Sequence, residues 1–116
     1  MENYRFKDYE NDGLTFLMSS RKDVVKSYQN MLNKLGTHLN EKTRELIVLA
    51  LQVTTQQPEA ISILIPKALK AGATADEIID AVTLAIPNVG LTGVLKLLPI
   101  ILDELRKYDE MVKPEN

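Results

Sequence analysis

Apolar side chains recur along most of this chain at gaps of three and four residues, the spacing of one face of an α-helix. Val24, Val25, Tyr28, Met31, Leu32 and Leu35 follow it, with Lys, Asp, Asn and Gln between them, and Gly36 is placed as a helix stop. Ahead of them come a polar lead-in over residues 1–12 and a short apolar piece, LTFLM, over residues 14–18. Asn40 then reads as an N-cap with Glu41 in the first turn, opening a helix that keeps Leu46, Ile47, Leu49, Ala50 and Val53 together. Thr54, Thr55, Gln56 and Gln57 interrupt it, and Pro58 suits the first turn of the next helix, which stops at Gly72. Pro66 lies inside that helix and predicts a kink near Ser62 and Ile63.

Thr74 and Glu77 have the spacing of a capping box, opening DEIIDAVTLAI. Pro87-Asn88 reads as the end of that helix, and a last one is expected over residues 91–108 with a second kink at Pro99. No stretch alternates with period two for long enough to make a strand. The pattern predicts an all-α protein of five or six helices, with one domain over residues 13–110 and a flexible tail over 111–116.

Charge sharpens this picture. Residues 46–66 carry one charged side chain, Glu59, and residues 81–102 carry one, Lys96. A surface helix of a small monomer shows a charged outer face, so these helices need cover on more than one side, more than 116 residues supply alone. A membrane span is one way to provide it. Pro87, Asn88, Lys96 and Pro99 argue against a span in the second window, as Thr54 to Gln57 do in the first. The reading preferred is a homo-oligomer, whose interfaces resemble a core cut in half.

The net charge is −2 and no Lys/Arg cluster stands out, so nucleic acid is not an expected partner. There is no cysteine, which excludes a disulfide, thiol catalysis, a thiolate metal site and an iron–sulfur cluster. The one histidine, His38, excludes a multi-histidine metal site within one subunit. Neither a metal nor a cofactor is expected. The first residues, MENYRFKDYEND, lack the apolar core of a signal peptide, and a cytoplasmic location is expected.

Two pieces carry a family resemblance: Thr43-Arg44-Glu45-Leu46-Ile47, and Ala71-Gly72-Ala73-Thr74 followed by Asp76-Glu77-Ile78. In their order and separation, over roughly residues 39–98, they resemble the carboxymuconolactone decarboxylase family, which includes the AhpD-like alkylhydroperoxidases. The resemblance implies an all-helical subunit that assembles into dimers, trimers or hexamers. It also implies where the chemistry would sit. AhpD-like members use a glutamate, a Cys-x-x-Cys pair at the start of the next helix and a histidine four residues after the second cysteine. Counted back from Gly72, those positions are Glu45, then Gln57 and Ala60, then Leu64. The glutamate alone is kept. A peroxidase of this kind needs a thiolate nucleophile and a resolving thiol, so that activity is expected to be absent.

What remains is a non-redox member of such a family, with an oligomeric scaffold and a small-ligand pocket near Glu45, lined by Thr54, Thr55, Gln56 and Gln57. These four residues also fit a plainer role, closing a helix junction by satisfying backbone groups. An alternative is a cofactor-free lyase or isomerase acting on a small organic acid or lactone, with Glu45 as general acid or base.

Overall fold

The structure, a computed structural model, describes residues 13–112, with side chains to residue 109. It contains six α-helices: α1 (Gly13–Ser20), α2 (Lys22–Asn33), α3 (Glu41–Thr54), α4 (Pro58–Lys70), α5 (Ala75–Thr83) and α6 (Ile86–Val112). There is no strand among the described residues, as the period of the apolar positions predicts. The polar lead-in lies outside the described residues. Of the tail, Met111 and Val112 continue α6 and the rest lies outside them.

The sequence suggests one domain over residues 13–110. The packing separates two compact units, one ending at His38 and one starting at Leu39. In the first, α1 comes from the apolar piece LTFLM, which here forms a helix of its own. Ser20 Oγ donates to Phe16 O at 2.8 Å, and the Arg21 amide donates to Leu17 O at 2.7 Å, so the chain passes from α1 to α2 through one residue. Val25 is the buried residue of α2. Val24, Tyr28 and Met31 are exposed, and so is Leu35 just beyond the helix.

The second unit is a four-helix assembly around one core. Leu49 and Val53 of α3 meet Ile61, Leu64, Ile65, Ala68 and Leu69 of α4; Ile78 and Val82 come from α5, and Val94, Leu97 and Ile101 from α6. Fully burying an aliphatic side chain of this size is worth about 1.5–3 kcal/mol, so these residues outweigh any single polar contact in the unit. Local signals set the helix ends. Asn40 Oδ1 accepts from the Thr43 amide at 2.8 Å. Thr74 and Glu77 close a complete capping box, with the Thr74 amide donating to Glu77 Oε1 at 2.9 Å and the Glu77 amide donating to Thr74 Oγ1 at 3.1 Å.

Pro66 lies inside its helix as expected, and Pro87 behaves differently from expectation. Helix α4 runs unbroken through Pro66, whose side chain is on the exposed side. Pro87 does not end a helix; it occupies the first turn of α6, where a missing N–H has no partner to lose. Helix α5 has already ended at Thr83, and α6 is itself interrupted at Gly90, with φ 77° and ψ 163°. That backbone region is essentially reserved for glycine. The stretch Ile86–Asp109 is long and apolar enough to cross a membrane by length and composition. Gly90 breaks its helical backbone, however, and Val94, Leu97 and Ile101 are committed to the protein core.

Candidate functional site

Glu45 sits on the stripe of α3 that also carries Leu49 and Val53, at gaps of four residues, and all three are buried. It is the one charged residue among the buried described ones. Its Oε2 accepts from Arg44 Nη1 at 2.9 Å, in an ion pair whose arginine side chain is 24% exposed. The carboxylate is thus held at the end of a core stripe and already engaged. A buried charge without such a partner would be strongly unfavourable, so the pair is a condition for Glu45 to lie where it does.

The other three motif positions serve packing and chain geometry. Gln57 is exposed at the N-cap of α4, with Nε2 donating to Thr55 O at 3.5 Å. Ala60 is partly buried and packs against the core, and Leu64 belongs to the core itself. Where a relay of thiols and imidazole would stand, the interior is filled by alkyl side chains. His38 is exposed in the turn that follows α2. Among the described residues, no three His, Cys, Asp or Glu side chains converge as a metal site.

The four polar residues between α3 and α4 satisfy the backbone. Thr54 Oγ1 donates to Leu51 O, and Thr55 Oγ1 donates to Gln52 O at 2.9 Å. Gln56 turns the chain with φ 56°, a left-handed value that non-glycine residues adopt at some cost. Its amide secures the turn, since Nε2 donates to Val53 O at 2.9 Å and across to Gly93 O of α6 at 3.0 Å. A side chain at Gly93 would crowd this contact: a Cβ there falls 2.9 Å from the Val89 side chain and 3.4 Å from Gln56 Nε2. The spacing Gly90-x-x-Gly93 thus has two separate causes, a left-handed φ at the first glycine and, at the second, the close approach of the Val89 side chain of the same helix and of the Gln56 amide. Gln56 and Gly93 form a latch between the α3–α4 junction and α6 that residue spacing alone did not single out.

An open groove of about 380 Å³ runs between α3 and α5, and it is not lined by Glu45 or by the junction. One wall is Thr43, Leu46, Ile47, Ala50 and Leu51 of α3; the other is Glu77, Asp80, Ala81 and Leu84, from α5 and the residue after it. Leu84 at its edge is 74% exposed. The α3 residues fall on a different side of the helix from Glu45, Leu49 and Val53. Helical spacing groups Leu46, Ile47, Leu49, Ala50 and Val53 together as apolar; packing divides them between core and groove. The trace left in the sequence is the scarcity of charge from residue 46 to 66, which already asks for cover on more than one side.

Charge is concentrated at one end of the groove. Lys42 Nζ donates to Glu77 Oε2 at 2.9 Å and ties α3 to α5. The Thr74 amide that donates to the Glu77 carboxylate holds its pKa below the ordinary glutamate value, and the Lys42 ammonium adds to the effect.

A family model, that of the carboxymuconolactone decarboxylase family, matches residues 22–103. The match includes α2, α3, α4, α5 and most of α6, and it spans the division between the two units. No curated protein and no solved structure matches the chain.

Proposed function

Since the chain belongs to the carboxymuconolactone decarboxylase family, we propose that it is a non-redox member that acts as a cytoplasmic, oligomeric helical scaffold. The observation that carries this reading is the filled interior at the motif positions. Leu64 is core, Ala60 packs against core, and Gln57 stands exposed at the N-cap position of α4 without a side-chain cap. With no cysteine in the chain, the thiolate and the resolving thiol of a peroxidase have no source. Support for assembly comes from exposed apolar side chains on three helices of the second unit: Ile47 and Leu51 on α3, Ile63 on α4, and Leu91, Leu95 and Leu102 on α6. An interface between copies would cover these side chains. Helix α6 belongs in this reading to the core and an interface, not to a membrane span.

The lyase reading has less support. Glu45 is engaged with Arg44 and lies on the core stripe, away from the groove, so a substrate in the groove would not meet its carboxylate. The test is direct. Light scattering of the purified protein should give a mass of at least two chains, and hydroperoxide consumption coupled to a thiol reductant should stay at background. A monomer, or a robust peroxidase rate, overturns the proposal.

A further inference from the structure

Two apolar surfaces of this chain have matching form. One is the α3–α5 groove. Its α3 wall carries no charged side chain, and its α5 wall carries Glu77 and Asp80. The other is the stripe Val24, Tyr28, Met31 and Leu35, at successive gaps of four, three and four residues, which puts all four on one side of α2 and its continuation. All four are exposed.

Their charges are opposite. Residues 13–38 hold four basic side chains, Arg21, Lys22, Lys26 and Lys34, against one acidic, Asp23; with the two basic and four acidic side chains of residues 1–12, the surplus over 1–38 is one positive charge, and the basic side chains nearest the stripe are those of α2. Residues 39–112 hold seven basic side chains against ten acidic, a surplus of three negative charges. At the groove this surplus appears as Glu77 and Asp80. Glu77 is partly offset by Lys42, and the Asp80 carboxylate has no partner shown among the described residues.

Their lengths also agree. From Thr43 to Leu51 the groove follows α3 for about 12 Å, and from Val24 to Met31 the stripe covers about 10 Å, at 1.5 Å per residue. An amphipathic helix laid into an apolar groove, with anchors at i, i+4 and i+7, is a recurring mode of recognition.

We propose that the α3–α5 groove receives the apolar stripe of α2 from a second copy of the chain. Tyr28 and Met31 are the anchors on the helix. Leu51 and Leu84 are the edges that close over them, and Asp80 faces the basic flank. This deepens the oligomeric reading above and rests on it. It also explains why α2 is one-sided, and why α3 is apolar on a second side facing away from its own core.

The absence of cysteine makes the test clean. Met31→Cys and Leu84→Cys replace exposed side chains, so each variant should keep the circular dichroism of the parent. The two single variants are refolded together and oxidised. A disulfide-linked species of twice the chain mass is expected in the mixture and not with either variant alone. In a chain carrying both substitutions, oxidation should again give linked chains. A bond closed within one chain, with the mass unchanged, overturns the proposal, as does the absence of a mixed link. Light scattering of the same samples separates the two levels. An oligomer without the mixed link removes this interface and leaves the oligomeric reading standing, whereas a monomer removes both.

Discussion

The two apolar sides of α3 are made from the same kinds of residue and have different fates. Glu45, Leu49 and Val53 face inward and are buried, Leu49 and Val53 completely. Leu46, Ile47, Ala50 and Leu51 line an open groove, where Ile47 and Leu51 stay exposed. What separates them is the neighbouring helix. The inner stripe is met by Ile61 and Ile65 of α4 and by Val94 and Ile101 of α6. The outer one is met on one flank alone, by α5. Hydrophobicity selects residues that want cover, and topology decides which of them a single chain can satisfy.

The largest effect should come from truncating each side by the same amount. Leu49→Ala removes three carbons from a filled core and should cost about 2–5 kcal/mol in the stability of the chain. Leu51→Ala removes the same atoms from an exposed position and should change the unfolding free energy by about 0.5 kcal/mol or less when the protein is dilute. Urea titrations at low protein concentration measure both. Similar losses in the two variants would mean that the outer stripe is covered within one chain, and the contrast between the two sides of α3 would disappear.

Much of the helical frame could be read without coordinates, because its signals are local. The Asn40 cap, the first-turn Pro58, the left-handed Gly72 and the Thr74–Glu77 box each act within about one helical turn, and all stand where their residue types place them. The residues of the candidate site were legible in a different sense. Glu45, Gln57, Ala60 and Leu64 could be placed by counting, and their chemistry, or lack of it, follows from side-chain type. The break near Pro87 was misplaced because proline is at home in a first turn. Helix α5 stops earlier, at Thr83, and the break inside α6 uses the backbone freedom of Gly90. The groove left only the scarcity of charge over residues 46–66 as a trace, since its walls, residues 43–51 and 77–84, are brought together by the packing of α3 against α5.

Glu45 offers the next test, of intermediate size. Glu45→Ala takes the acceptor from Arg44 Nη1 and opens space at the end of the core stripe, and about 1–3 kcal/mol should be lost. Arg44 is partly exposed, which keeps the loss below that of a fully buried broken pair. Glu45→Leu instead extends the apolar stripe of Leu49 and Val53 and should lose less than Glu45→Ala. If Glu45→Leu proved the worse of the two in thermal or urea unfolding, the carboxylate would have a structural task beyond its ion pair, and the inner side of α3 could not be described as simple core.

The smallest effect concerns the acidic end of the groove, and pH isolates it. The Glu77 pKa is lowered in the folded chain, first by the Thr74 amide and then by Lys42. A carboxylate whose folded pKa lies below its unfolded one favours the folded state above the ordinary glutamate range, and that contribution fades as pH falls through the folded value. Glu77→Gln keeps a side-chain oxygen able to accept from the Thr74 amide, as glutamine does in other capping boxes, but removes the charge that meets Lys42 and the positive end of α5. The parent should therefore have the higher urea midpoint near neutral pH. The gap should narrow below about pH 4 as the carboxylate takes up its proton. Added salt should narrow it too, because the Lys42–Glu77 pair is solvent-accessible. A gap unchanged from neutral to acid pH would show that shape, not charge, gives Glu77 its effect. The acidic character assigned to the α5 wall of the groove would then have no energetic expression in the folded chain, in contrast to the Arg44–Glu45 ion pair on α3.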